Sequence, residues 1–421
     1  MALLQDAEKL TGEAEVRGSV YRDPEIFRRE LERIWYKVWV YVGHESEVPN
    51  PGDFVRRQIG LQPVVMARGE DGKVRVFYNR CRHRANLVCL AERGNAKEFA
   101  CPYHGWTYAN TGELVAPTFG DGYDHNLERE RFGLTPLARQ DSYRGLVFAS
   151  VAREGPSLAE HLGGVTEFLD LFIDLSPQGE IELNAGAHKV SYCGNWKYMP
   201  ENSMEGDYHG PFIHNVAFDL YARRTGFDVN DLATDEVENV ILSLPGGHMV
   251  EDYRGAPINP PKREPSPERQ DYIRQMKKRH GEEKAAQMLS TMAPLLYVFP
   301  NLMYVITHIR VVQPVSVGHT HSYYFPVMLK GAPDEINDAR LSDHEFMFGS
   351  AGFVSPDDVE IMERNQIGMH AHGNDNDWLY IGRGLHRERS LANGVRGGMT
   401  RDETQLRGFW RHYVSLMEGD A

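Results

Sequence analysis

The first clear pattern along the chain is helical. In "RDPEIFRRELERIWYKVWV", Phe27, Leu31, Ile34, Trp35 and Val38 recur at the spacing of one apolar face. Asp23 suits the cap of that helix and Pro24 its first position. After Gly43 the period shortens. "DFVRRQIG", "QPVVMARG" and "KVRVFYN" read as short strands, with a turn at Glu70-Asp71-Gly72 between the last two. Strands continue through "EFACPYHGWTY" and "GLVFASVA". The pattern therefore predicts an N-terminal helical segment over 1–40 that packs with the last domain, and a small antiparallel β domain over 41–155.

From "SLAEHLGGVTEFLDLF" onward, helices and strands alternate more loosely. "GAPINPPKREPSPERQ" is rich in proline and charge and reads as a loop before a helix. "LLYVFPNLMYVITHIRVVQPV" and "THSYYFPVMLKG" read as strands, and Leu406, Trp410, Tyr413 and Met417 mark a C-terminal helix. The fold class expected is α+β: the small antiparallel domain, then a larger domain over 156–421 with a central antiparallel sheet and helices.

Charge narrows the partners. Lys+Arg is 46 and Asp+Glu is 60, a formal charge of −14 over 421 residues. That balance speaks against nucleic acid and anionic membranes. Arg263 and Lys277-Lys278-Arg279 are basic clusters too short to change it. No apolar run approaches the ~20 residues of a membrane span. The acidic start "MALLQDAEKLTGEAEV" has no signal-peptide pattern, so a cytoplasmic location is expected. Four cysteines are too few for a disulfide scaffold; Cys89 and Cys193 read as small buried residues.

Candidate chemistry lies in "NRCRHRANLVCLAERGNAKEFACPYHGWTY". Cys81-x-His83 is followed by seventeen residues and then Cys101-x-x-His104. Such ligands suit zinc or an iron–sulfur cluster. Zinc fingers commonly group cysteine with cysteine and histidine with histidine, whereas each loop here offers one of each. In a Rieske 2Fe–2S centre, two cysteines hold one iron and two histidines the other, so two such loops can enclose the cluster.

With these motifs the chain resembles the large (α) subunit of the Rieske non-heme iron, aromatic-ring-hydroxylating oxygenases. The likeness runs from "YRDPEIFRRELERIW" and "VGHESEVPNPGDF" to "FVSPDDVEIMERNQ". One departure is Ala85, where the family usually has glycine; a slightly different loop packing is expected there. In "GNWKYMPENSMEGDYHGPFIH" the resemblance implies that His209 and His214 hold a mononuclear Fe(II), as two imidazoles of a facial triad whose third member is a carboxylate. On spacing alone these histidines could equally be a structural pair. The carboxylate falls at Asp358, with Asp357 as the alternative. Asn202 matches an asparagine near the iron. By the same resemblance, an acid before the first histidine would bridge it to a Rieske histidine of a neighbouring subunit. Relatives place that acid three residues ahead, where this chain has Gly206; counting forward from Asn202, and the face Glu205 would share with His209 at i,i+4 on a regular helix, favour Glu205 over Asp207.

The resemblance further implies O2 as cosubstrate, and electrons from NAD(P)H through a separate reductase with or without a ferredoxin. It implies a homotrimer or an α3β3 assembly with a small β subunit, and ring hydroxylation of an aromatic substrate. No nicotinamide fingerprint occurs in the chain itself. The chain resembles members acting on aromatic acids, of the salicylate, anthranilate and benzoate types, more than the hydrocarbon dioxygenases. Arg310 and His308 are candidates to receive a carboxylate; a core strand with an outward arginine is the alternative. A Rieske monooxygenase or demethylase shares the machinery. A non-enzymatic Rieske carrier would need only the small domain.

Overall fold

Strand-forming runs and turn residues organise the chain into two units, seen in a computed structural model that describes residues 10–123, 127–206, 208–226, 240–255, 264–371 and 377–419. One unit comprises the chain to Ile34, Ala159–Ile181 and everything from Ala185; the other is Trp35–Leu158 with Glu182–Asn184. Of the proline-rich loop expected over 255–270, residues 256–263 lie outside the described residues, as does Asp207, and its end already belongs to the helix Pro267–His280, which Ser266 caps. No described helix is long and apolar enough to cross a membrane.

The smaller unit is antiparallel. Val74–Tyr78, Gln62–Arg68, Asp53–Ile59 and Arg93–Asn95 form one sheet in that order. Glu98–Ala100, Thr107–Ala109 and Leu114–Ala116 form a second. Val40–His44, Leu146–Ser150 and Arg139–Tyr143 form a third. Phe54, Phe77, Phe99, Trp106 and Tyr108 fill a core that also buries Cys81, Cys89 and Cys101. Thiols inside an apolar core are shielded from solvent, which suits them to hold a metal group rather than to react.

Two loops project from this core with one backbone plan. Cys81 N–H donates to Asn86 O at 2.8 Å and Ala85 N–H donates to Cys81 O at 3.0 Å. Cys101 N–H donates to Trp106 O at 2.8 Å and Gly105 N–H donates to Cys101 O at 2.9 Å. The fourth residue after each cysteine is left-handed, with φ 62° at Ala85 and 68° at Gly105. Ala85 thus takes the left-handed conformation that Gly105 takes in the second loop, held there by the hydrogen bonds that close its own.

The larger unit is built on a nine-stranded antiparallel sheet. Its order is His188–Tyr192, His319–Pro326, His308–Ser316, Leu302–Val305, Leu295–Val298, His248–Glu251, Ile241–Leu244, Arg396–Gly398 and Arg389–Ser390. The helix Thr404–Glu418 buries Leu406, Phe409, Trp410, Tyr413 and Met417 and packs on the strands at 241–244 and 248–251. Near the N-terminus, Asp23 caps the helix Pro24–Glu30, its side chain accepting from Glu25 N–H at 2.8 Å. A π-helical turn over Leu31–Trp35 ends that element, leaving Val38 outside it. Cys193 follows the edge strand His188–Tyr192 and is exposed, contrary to the buried role expected of it. Side chains alternate there, and its neighbour Tyr192 takes the inward position.

Glu30 ties the N-terminal helix to this unit. Its carboxylate accepts from Lys197 Nζ at 2.6 Å, Trp196 Nε1 at 2.8 Å and Tyr413 Oη at 2.6 Å, and both Glu30 and Lys197 are fully buried. Removing the acid leaves three buried donors unpaired, one of them an ammonium. Glu30→Ala is expected to destabilise the chain by about 3–5 kcal/mol in denaturant titrations, with Glu30→Gln losing less. Ala85→Gly should act in the other direction. It relieves a left-handed alanine at an exposed site and should raise the denaturation midpoint, a gain of up to about 1 kcal/mol.

Candidate metal centres and substrate pocket

The two Cys-His loops sort their donors by depth. Cys81 and Cys101 are buried, whereas His83 is exposed and His104 half-buried. The two imidazoles lie side by side, ring centroids 4.7 Å apart, and His83 stacks on Trp106 at 5.1 Å. Tyr108 Oη accepts from Arg82 N–H at 2.9 Å, so its own proton is free to donate to Cys81 Sγ at 3.2 Å. No three of these four ligands close to within 4.8 Å of one another, as ligands of a single ion would. Buried thiols beside more exposed imidazoles, one of each from each loop, are the donor set of a two-iron Rieske cluster.

The second centre depends on an irregular turn. The helix Tyr198–Ser203 stops before Glu205, so Glu205 and His209 do not share a regular helix as expected. Gly206 has φ 69°, and its N–H donates to Glu251 Oε1 at 2.8 Å. A Cβ there would lie 2.0 Å from Thr400 O. Position 206, where the family resemblance would put the acid, therefore cannot carry a side chain in this conformation. Beyond it, the short helix Gly210–Ile213 is flanked by His209 and His214, which point into one space. Asp358 enters from the first turn of the helix Ser355–Gly368.

Three atoms converge. His209 Nε2 lies 3.1 Å from His214 Nε2 and 3.4 Å from Asp358 Oδ1, and His214 Nε2 lies 3.0 Å from the same oxygen. Cis ligands at ~2.1 Å from an octahedral ion stand ~3 Å apart, so this triangle has the dimensions of one face. Electrostatics agree with the geometry. Burial opposes charge on His209, yet Asp358 and Glu205 push its pKa up to about 10. Burial also opposes charge on Asp358, but His209 and His214 hold its carboxyl well below the usual range. The site demands positive charge, which a proton supplies in the free chain and a divalent cation would supply in its place.

The remaining expected residues surround this triangle. Asn202 Nδ2 donates to Asp358 Oδ1 at 3.3 Å. Glu205 Oε1 accepts from His209 N–H at 3.1 Å and also partners His209 Nδ1, which aims Nε2 at the centre. Asp357 is half-exposed and stands behind His214, 3.6 Å from its Nδ1.

A pocket opens beside the triangle, with about 870 Å³ of space including its mouth. Phe218, Ile306, Met347, Phe348 and Val354 make most of its wall apolar, and His209, His214 and Asp358 line it together with Arg310. Arg310 is 2 % exposed, so the reading of an outward arginine does not hold. In the strand register it sits opposite Tyr324, and its guanidinium lies 4.6 Å from that ring. Nε donates to His308 Nε2 at 2.9 Å and Nη1 donates to Ser203 Oγ at 2.8 Å. No carboxylate among the described residues pairs with it. Ser203 went unnoticed in the sequence; its place beside Asn202 was the only signal.

Comparison with known proteins follows the same division. Residues 38–120 match the Rieske [2Fe-2S] domain model, and 181–419 match the ring-hydroxylating α subunit catalytic domain model. The large subunit of 2-halobenzoate 1,2-dioxygenase from Burkholderia cepacia is 33% identical over 393 residues, 90% of this chain and 81% of that one. The α subunit of an N,N-dimethyl phenylurea N-demethylase from Sphingobium sp. is 29% identical over 96% of this chain and 91% of its own. Naphthalene 1,2-dioxygenase from Rhodococcus sp., solved with indole bound, superposes with a TM-score of 0.83 at 27% identity, covering 99% of this chain and 97% of that chain. A carrier role is excluded by the catalytic domain, and the chain belongs to the ring-hydroxylating Rieske non-heme iron oxygenases, as a large (α) subunit with a Rieske cluster and a mononuclear iron for cofactors.

Proposed function

We propose that this oxygenase acts on an aromatic acid, whose carboxylate Arg310 receives while the apolar wall holds the ring beside His209, His214 and Asp358. The observation that carries this reading is a buried guanidinium with no counter-ion among the described residues, in the same pocket as the triangle of His209, His214 and Asp358. Ser203 and His308 occupy Nη1 and Nε, and Nη2 has no partner among the described residues. A substrate carboxylate would supply the missing charge through charge-assisted hydrogen bonds. The halobenzoate relative supports an acid by its name. The demethylase relative keeps N-demethylation as the second reading, and product mass separates the two.

Cys81, His83, Cys101 and His104 would hold the cluster, and His209, His214 and Asp358 the iron. Together these groups supply single-electron transfer and O2 activation. The chain's own residues orient and shield. Asn202 steadies the Asp358 carboxylate, and Glu205 fixes the tautomer of His209. Phe348 and Met347 exclude water from the ring. Electrons would come from NAD(P)H through a partner reductase, with or without a ferredoxin, in the cytoplasm. Glu205 would also bridge His209 to a Rieske histidine of the neighbouring subunit in a homotrimer or α3β3 assembly. Its side chain is 23 % exposed, and the imidazole of His83 faces outward on its own unit.

Two outcomes test these roles. Arg310→Met should lower kcat/KM for a benzoate-type acid by roughly 30- to 1,000-fold, equivalent to about 2–4 kcal/mol, while turnover of an uncharged ring of similar size changes little. Equal losses on both substrates would make Arg310 a packing residue and sink the acid reading. Glu205→Gln should retain both metals yet slow single-turnover product formation by at least about tenfold, because the anionic link is gone. An unchanged rate would remove Glu205 from the electron path.

A further inference from the structure

Away from the iron triangle, a second group of donors meets where the edge strand His188–Tyr192 passes the end of the helix Asp334–Phe348. His188, His344 and Glu345 each present a ligand atom, and the three lie within 4.8 Å of one another. His188 Nε2 lies 2.8 Å from Glu345 Oε1, and Ser350 Oγ lies 3.3 Å from His188 Nδ1. An ordinary surface pair would account for those two residues. It does not account for His344.

His344 is fully buried, and neither of its ring nitrogens has a hydrogen-bond partner. Its ring lies 5.5 Å from that of His188 and 4.8 Å from that of His308. A buried imidazole with two unsatisfied nitrogens is costly unless something occupies the space it faces. Two imidazoles and a carboxylate are donors for a borderline divalent ion. Glu345 is half-exposed, so its side chain can swing to close the set and water can complete it.

We propose that His188, His344 and Glu345 form a further metal site, distinct from both iron centres, for a divalent transition ion of the zinc type. None of the three serves the cluster or the iron triangle. The site would clip the edge strand to the helix that carries Asp343, Met347 and Phe348 into the pocket wall, and so hold that wall in place.

Zinc is the probe. Iron-loaded enzyme is dialysed against Zn2+ and both metals are counted. The expected result is one zinc per chain gained without loss of iron, together with a higher Tm. Glu345→Gln and His188→Ala, both at partly exposed positions, should each weaken zinc uptake at least tenfold and abolish the rise in Tm. His209→Ala should leave the uptake unchanged. No zinc uptake, zinc gained only as iron is lost, or uptake unaffected by both Glu345→Gln and His188→Ala would overturn the proposal.

Discussion

Two imidazole nitrogens and a carboxylate oxygen stand 3.0–3.4 Å from one another at His209, His214 and Asp358. Lone pairs at that separation repel unless positive charge lies among them. The surrounding structure maintains this arrangement. Gly206 turns the chain in a conformation closed to other residues, Glu205 aims one imidazole, Asn202 steadies the carboxylate, and burial removes the water that would otherwise screen them. Binding of a cation then resolves an electrostatic demand built into the fold, and places the ion against an apolar pocket rather than in open solvent.

The other centre is held differently. Its loops repeat one backbone plan, and Ala85 takes the left-handed conformation of Gly105 while its own N–H and that of Cys81 close its loop. Depth separates the donors. Thiols sit in the core while the imidazoles are more exposed, so a cluster held there would present its histidine side outward. A Tyr108 hydroxyl on Cys81 Sγ favours the reduced, more negative state of the group the thiolates would hold.

Much of this was legible in the sequence, and unevenly. The two Cys-His loops could be picked out by spacing alone, since the residues of each are local. The strands Asp53–Ile59, Gln62–Arg68 and Val74–Tyr78 follow directly from alternation and turn residues. Asp358 was legible only through family likeness, because nothing local ties it to histidines more than 140 positions away. Arg310 was ambiguous, since a strand covered on both faces gives no alternation to tell inward from outward; packing against Tyr324 and Phe348 decides it. Cys193 was misread because it lies one residue past the strand, on the solvent side of the alternation that turns Tyr192 inward. The cluster of His188, His344 and Glu345 left no sequence pattern, being assembled from a strand and a helix far apart in the chain.

The central claim is that two metal centres use separate ligand sets in separate units. Iron counting with electron paramagnetic resonance on Cys101→Ser and His209→Ala tests it most directly. Cys101→Ser should lose the cluster signal and its two irons and keep the mononuclear iron. His209→Ala should keep a reducible cluster, lose the single iron and form no product. A cluster signal surviving in Cys101→Ser, or full iron content and product in His209→Ala, would contradict the assignment.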